Sequence, residues 1–392
     1  MKYNFDEEIR RENTNSIKYD LRGKVFGRED VIPMWVADMD FATPEFIREA
    51  VKERAKHEVY GYSFRPESYY KAITGWLKSR HNWQIDTRDI TFSPGVVAGL
   101  SLSVLAFSQP GDKIIVQPPV YFPFFTVIRE NGRQLVYNQL IDNQGYYSID
   151  FDDLERKIDA RTSMIIISNP HNPTGRAWKK EELERLAGIC IKNDVLIISD
   201  EIHSDLVFNP AQHTPMASLS TEIAKNTITF MAPSKTFNTA GLSSSFAVIP
   251  NRKLKGVYNA YLENFHLNLG NLFGNVVTES AYKNGSEWVD ELKQYLQSNI
   301  DFAFEYIRKN IPLLRLQKPE ATYLLWLDYT QTKMDEATFN NFLIHKAKTG
   351  LNKGSVFGPG GNGYMRMNIA CTKKTLETAL RSLKEAFDYT RI

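Results

Sequence analysis

The chain reads as a three-layer α/β protein with a mostly parallel central sheet, followed by a smaller α+β C-terminal domain. Two near-continuous apolar runs carry this reading, Met164-Ile165-Ile166-Ile167-Ser168 and Val195-Leu196-Ile197-Ile198. Strands buried on both faces need apolar residues at successive positions. Between the runs, the stretch from about 180 to 193 places Leu183, Leu186, Ala187 and Cys190 on one helical face. Strand, amphipathic helix and strand in succession are the pattern of a parallel sheet.

The remaining elements follow in order. Residues 1–45 are polar and irregular and read as an arm that packs on the rest, ending in Met34-Trp35-Val36-Ala37-Asp38-Met39-Asp40-Phe41. A helical pattern covers about 45–80, interrupted at Tyr60-Gly61-Tyr62, with Thr43 placed as N-cap and Pro44 as first helical residue. Ile90–Ser93 is a short strand, and Pro94-Gly95 leads into a helix over 96–107. Pro110-Gly111-Asp112 turns into the strand Lys113–Val116. After the two apolar runs come strands at Ile228–Met231 and Phe246–Ile249, then a mostly helical stretch over 252–310. Ala321–Leu327 and Tyr364–Ile369 read as strands, the second after the Gly-rich segment 354–363, and a last helix spans about 374–388. The expected division is an arm over 1–45, a large ligand-binding domain over 46–285 and a small domain over 286–392.

Composition narrows the function. A net charge of +2 with 24% charged residues shows no basic cluster of the kind that nucleic acid or an anionic membrane selects. No apolar run approaches the roughly 20 residues that span a bilayer, and the start of the sequence lacks the apolar segment of a secretory signal. Two isolated cysteines, Cys190 and Cys371, make neither a disulfide framework nor a metal cluster. The expectation is a cytoplasmic enzyme acting on a small molecule, with no metal.

Five strings stand just after apolar strands: Ser93-Pro94-Gly95, Gln117-Pro118-Pro119-Val120-Tyr121, Asn169-Pro170-His171-Asn172-Pro173-Thr174-Gly175, Asp200-Glu201-Ile202-His203, and Ala232-Pro233-Ser234-Lys235-Thr236-Phe237-Asn238. In open α/β sheets the ligand lies beyond the carboxyl ends of the strands, so all five converge on one edge. Together they read as a site for pyridoxal phosphate. Lys235 can form an imine with its aldehyde and, once displaced by a substrate amine, take the α-proton. Asp200 can hold the ring nitrogen protonated, an ion pair worth on the order of 4 kcal/mol at an effective dielectric near 20. Glu201 is the lesser candidate because strand alternation sends it to the other face. Asn172 can bond the ring hydroxyl and the substrate carboxylate. Tyr121 can stack on the ring or be an ordinary core tyrosine. Backbone N–H groups of Val96 and Val97 at a helix start offer an anion site, to which Ser234 can add a hydroxyl. Arg366 can clamp an α-carboxylate with two parallel bonds or sit in a surface salt bridge.

With these residues in place the whole chain resembles the fold-type I pyridoxal-phosphate enzymes of the class I/II aminotransferase superfamily. More narrowly it resembles the MalY/PatB-type carbon–sulfur β-lyases, on Trp35-Val36-Ala37-Asp38-Met39-Asp40-Phe41, Tyr60-Gly61-Tyr62, Ser199-Asp200-Glu201-Ile202-His203-Ser204-Asp205 and Pro233-Ser234-Lys235-Thr236-Phe237-Asn238. The histidine at 203 is the discriminating feature, since aminotransferases usually carry tyrosine there. The resemblance implies a homodimer with shared sites, in which Tyr62 of the partner copy reaches the cofactor phosphate. It places His203 near the ring hydroxyl or the Asp200 network, or in packing alone. It also implies that the arm, with Val36 and Asp38, lines the substrate entrance. Two positions depart from the wider superfamily: Ser243 stands where many members place an arginine for the phosphate, and Ala232 where many have serine.

The expected reaction is β-elimination from L-cystathionine, a related S-substituted L-cysteine or L-cysteine, giving a thiol, pyruvate and ammonia. An aminotransferase using a keto acid is the alternative, because both begin with the same carbanion. A cofactor-binding regulator without turnover is a third reading, opposed by the presence of Lys235, Asp200, Asn172 and Arg366 together.

Overall fold

The computed structural model describes residues 2–390. A seven-stranded sheet forms its centre: β1 (Ile90–Ser93), β2 (Lys113–Val116), β3 (Gln134–Tyr137), β4 (Thr162–Ser168), β5 (Leu196–Asp200), β6 (Thr227–Met231) and β7 (Ser245–Val248). The order across the sheet is β1-β7-β6-β5-β4-β2-β3. Only β7 runs against its neighbours, pairing antiparallel with both β1 and β6. The other contacts are parallel, with Ile166 opposite Ile198 and Ser168 opposite Asp200.

Alternation explains the apolar runs. Ile114, Val116, Met164, Ile166 and Ile198 enter the core on one face, while Ile115, Ile165, Ile167 and Ile197 enter the core on the other. Helices cover both faces. Among them are α1 (Glu45–Ala55), α2 (Glu67–His81), α3 (Val96–Phe107), α4 (Lys180–Lys192), the single turn α5 (Pro233–Thr236), the long α6 (Ser286–Asn310) and α7 (Lys373–Thr390). In α4, Leu183, Leu186, Ala187 and Cys190 are buried, which is the face that the spacing defines.

A second, four-stranded antiparallel sheet contains β8 (Arg315–Leu316), β9 (Leu324–Asp328), β10 (Asn352–Lys353) and β11 (Tyr364–Asn368), ordered β8-β9-β11-β10. The apolar core does not break at residue 286. Phe237 stacks on Trp288 with ring centroids 5.6 Å apart, and one cluster runs from Tyr69 and Trp76 through Trp288 to Leu325 and Leu380.

Two local expectations shift. Pro44, not Thr43, occupies the N-cap of α1, and the Thr43 hydroxyl is turned to the Asn238 carbonyl, to which it donates at 3.1 Å. Strand β9 begins at Leu324 rather than Ala321, because Thr322 has φ +71° and interrupts extended backbone there.

The arm is fastened to both parts. Ile32-Pro33 pairs in parallel with Thr349-Gly350, and Asn368 Nδ2 donates to the Val36 and Asp38 carbonyls at 2.5 and 2.6 Å. On the other side Asn238 accepts from Met39 N and donates to the Met39 and Phe41 carbonyls, all at 2.8–3.0 Å. Within the arm, buried Lys18 reaches Asp40 at 2.9 Å, and Arg11 grips Asp38 and Asp40.

Candidate active site

The carboxyl ends of β1, β4, β5 and β6 open onto a cavity of about 300 Å³. Its walls include Val96, Val97, Tyr121, Asn172, Asp200, His203, Ser234 and Lys235, together with Ala37 from the arm. Eight of the expected site residues thus share one cavity although they span positions 96–235.

Each is positioned by its element. Gly95 adopts φ +132°, a conformation open to glycine, and hands the chain from β1 into α3. The first intrahelical bond runs from Gly99 N to Gly95 O, and no side chain caps the helix. The leading N–H groups of α3 therefore point at the cavity without acceptors, as an anion site requires. Ser234, Ser243 and Ser244 line the same cavity. Hydroxyls and backbone donors stand where an arginine is absent.

Asn172 is held in a stiff loop. Its N–H donates to Ser168 Oγ at 3.2 Å, and Trp178 Nε1 donates to the Ser168 carbonyl at 2.9 Å. Gly175, at φ +71°, lies where an added Cβ would stand 2.5 Å from Pro319.

Asp200 ends β5 and is 5% exposed; its Oδ1 accepts from Ile202 N at 3.1 Å. Burial pushes its carboxyl up to about 7, against the pull of that N–H and of Lys235. Glu201 turns to the opposite face, where it bonds Ser199 Oγ, His213 and Met216 N. Lys235 Nζ donates to the Ala37 carbonyl at 2.6 Å. Burial, and then the Arg366 charge, lower its amine to about 8, while Asp38 and Asp200 act the other way. His203 is buried, with Nδ1 lacking a partner and its ring 6.0 Å from that of Tyr323. Burial and the nearby Lys235 and Arg366 charges lower it to about 3, so the imidazole is neutral. Burial also raises the Tyr121 hydroxyl.

Arg366 lies behind Asn172. Its Nη1 donates to Asn172 Oδ1 at 3.0 Å and its Nη2 to the Trp35 carbonyl and Asn352 Oδ1 at 3.0 and 2.8 Å. The guanidinium stands 4.9 Å from the Phe357 ring, and Nε is buried without a partner. It is 3% exposed and its hydrogen bonds go to amide and backbone oxygens, which rules out the surface salt bridge. An uncompensated buried guanidinium suits an incoming carboxylate.

Besides Arg366, three expected residues do not line this cavity. The Asp38 carboxylate is held by Arg11 at 2.7 Å, and Val36 offers its carbonyl to Asn368; the arm residue that lines the wall is Ala37. The arm meets the cavity through Ala37, the residue between Val36 and Asp38. Tyr62 is 97% exposed on this chain. Sequence reasoning missed Tyr323, whose hydroxyl donates to the Ala37 carbonyl at 3.0 Å, and Asn352 and Phe357, which hold Arg366. Tyr323 stands inside an apolar run and looks like core, so nothing in its spacing marks it.

The donor set fits pyridoxal phosphate: leading helix N–H groups for a phosphate, a buried carboxyl at a strand end, an amine lowered by burial, and orphaned Nδ1 of His203 and Nε of Arg366. Comparison with known proteins agrees with this chemistry. Cystathionine beta-lyase PatB of Bacillus subtilis is 44% identical over 384 residues, covering 98% of this chain and 99% of that one. The structure of cystalysin from Treponema denticola, which contains a pyridoxal 5'-phosphate cofactor, superposes with a TM-score of 0.96 at 35% identity and full coverage of both chains. The PLP-bound C-S lyase from Staphylococcus hominis gives a TM-score of 0.91 at 35% identity, covering 98% of each. Residues 29–383 match the profile described as aminotransferase class I and II, and the chain belongs to that family.

Proposed function

We propose that the protein is a pyridoxal-phosphate-dependent carbon–sulfur β-lyase that cleaves L-cystathionine or a related S-substituted L-cysteine to a thiol, pyruvate and ammonia. The observation that carries it is the 44% identity, over nearly the full length, to a cystathionine β-lyase. Lys235, Asp200 and Asn172 in one cavity support it.

When bound, the cofactor supplies an aldehyde that takes up the substrate amine and an electron sink for the α-carbanion. Lys235 Nζ, lowered to about 8, is the base that takes the proton from the substrate α-carbon. Asp200 keeps a proton at the ring nitrogen, and its burial strengthens that pairing. Arg366 holds the α-carboxylate, oriented by Asn172, Asn352 and the face of Phe357. Tyr121 covers one wall of the ring site. The N–H groups of Val96 and Val97 and the Ser234 hydroxyl hold the phosphate, and His203 stays neutral beside the ring. The β-carbon–sulfur bond then breaks, with the electron pair leaving on sulfur.

We assign residues 46–285 to cofactor binding, residues 286–392 to the part that brings in Arg366, and the arm over 1–45 to the seam between them. We also infer a homodimer. Val59, Tyr60, Tyr62 and Phe64 are exposed beside Phe265, Leu267 and Leu269, and Arg65 ties the two loops through the carbonyls of Asn268 and Leu269. An exposed apolar patch of that size favours a second copy, which would bring its own Tyr62 toward the phosphate site. Cytoplasmic action fits a chain in which no helix among the described residues is long and apolar enough to cross a membrane.

Purified, cofactor-loaded protein mixed with L-cystathionine and no keto acid tests the reading. Equimolar pyruvate and free thiol over many turnovers is the expected result. No pyruvate, with turnover appearing only when a keto acid is added, would make it an aminotransferase.

A further inference from the structure

Behind the cavity lies a polar cluster that the chemistry above does not use. Asp205 is 6% exposed and its carboxylate takes three partners. Oδ2 accepts from Thr236 Oγ1 at 2.8 Å, while Oδ1 accepts from Trp76 Nε1 at 2.9 Å and lies 2.9 Å from His81 Nε2. Burial drives this carboxyl upward, yet His81 and the other donors outweigh burial and the net shift is down. The His81 ring meets His213 edge to face at 5.2 Å, and His213 Nε2 lies 2.8 Å from Glu201 Oε2. The cluster therefore runs from Thr236, the residue after Lys235, to Glu201, the residue after Asp200.

Its place matters because α5, which carries Lys235, is a single turn of four residues. One turn has no stability of its own; its geometry comes from what it is tied to. The loop beyond it is tied to the arm through Asn238. The turn itself is tied through Thr236 to Asp205, and Asp205 is anchored on α2, a fifteen-residue helix whose Tyr69, Ile73, Trp76 and Leu77 are in the core. The turn that carries the amine is thus tied to a rigid helix through one carboxylate, while Nζ itself bonds the Ala37 carbonyl.

We propose that Asp205, acting through Thr236, is the positioning residue that sets where the Lys235 amine stands, and that His81 keeps the Asp205 carboxylate turned for that bond. The proposal rests on Lys235 being the reacting amine.

Thr236→Val keeps the shape and removes the donor, and Thr236→Ser restores the hydroxyl without the methyl. His81→Gln is the second probe; it borders a solvent-facing groove and leaves Thr236 intact. The measurements on holoenzyme are the pH midpoint of the bound cofactor's absorbance, kcat, KM and Tm. Thr236→Val should move the midpoint by about half a pH unit and lower kcat by about tenfold, with KM within about twofold. Thr236→Ser should return both toward wild type, and His81→Gln should move them the same way by less. Wild-type midpoint and kcat in Thr236→Val and His81→Gln, whatever their Tm, would overturn the proposal and leave the cluster a purely structural one. If Thr236→Val does not fold, His81→Gln decides alone. The midpoint reports on the lysine whichever reaction follows. A failure to form pyruvate from L-cystathionine would sink the lyase reading and leave this test standing.

Discussion

Lys235 Nζ donates to the carbonyl oxygen of Ala37 at 2.6 Å, across 198 positions of sequence. The Tyr323 hydroxyl donates to the same oxygen at 3.0 Å. One arm carbonyl therefore gathers the amine from α5 and the tyrosine just before β9, and the arm is part of the site wall as well as a tether.

Asp200 weakens the cofactor-free protein. With its carboxyl at about 7 rather than 3.8, the folded chain binds more protons than the unfolded chain between about pH 4 and pH 7. Stability should fall as pH rises through that window. Asp200→Asn removes the buried charge, so without cofactor the variant should be more stable near pH 7.5 by up to about 4 kcal/mol, the gap closing below pH 4. Its cofactor affinity and activity should drop. Urea unfolding at the two pH values checks this; a gap that does not change with pH contradicts it. Lys235, lowered to about 8, acts above this window: stability should rise again between about pH 8 and 10.5.

Arg366 works as a fork. Asn172, Asn352 and the Phe357 face fix its plane, and a lysine there keeps charge but loses the paired donors. Arg366→Lys should raise KM for L-cystathionine by about 30- to 100-fold while cofactor content stays near wild type. Steady-state kinetics with parallel absorbance spectra decide it; an unchanged KM means that the carboxylate is held elsewhere.

Asn238 sits at φ +56° and satisfies three backbone groups of the arm. Asn238→Ala leaves them unpaired in a left-handed conformation that alanine disfavours. A loss of about 2–3 kcal/mol in unfolding free energy is expected, read as a lower urea midpoint. A loss under about 0.5 kcal/mol would mean that the pairing of Ile32-Pro33 with Thr349-Gly350 and the Asn368 bonds hold the arm without Asn238.

Phe64 is 82% exposed on this chain. Phe64→Asp puts a charge into the patch assigned to the second copy, and dissociation of the dimer should become at least about tenfold easier. Sedimentation at several protein concentrations measures it. A variant that remains as tightly associated as the parent would place the interface on another face.

Much of this protein is readable from its residues in order. Apolar runs such as Met164–Ser168 declare strands because they are too short for a helix and fit a strand buried on both faces, and the helix over 96–107 is found at those bounds. Lys235, Asp200 and Asn172 are legible for a topological reason: Asp200 ends a strand and the other two follow within four residues of one, at the carboxyl edge of the sheet where a ligand lies. The tertiary structure alone decided what depends on long-range closure. Spacing cannot tell that Ala37, not Val36 or Asp38, lines the cavity, because which arm residue faces inward is settled by Asn238 and Asn368, some 200 and 330 positions away. Nor can it tell that Tyr323, in an apolar run, bonds the carbonyl that holds Lys235, or that Phe357, in a Gly-rich segment, meets Arg366, since a core aromatic and a site aromatic have the same local pattern. A carbonyl's partner and a guanidinium's plane are set by packing between elements distant in sequence, and that information exists only once the chain has closed on itself.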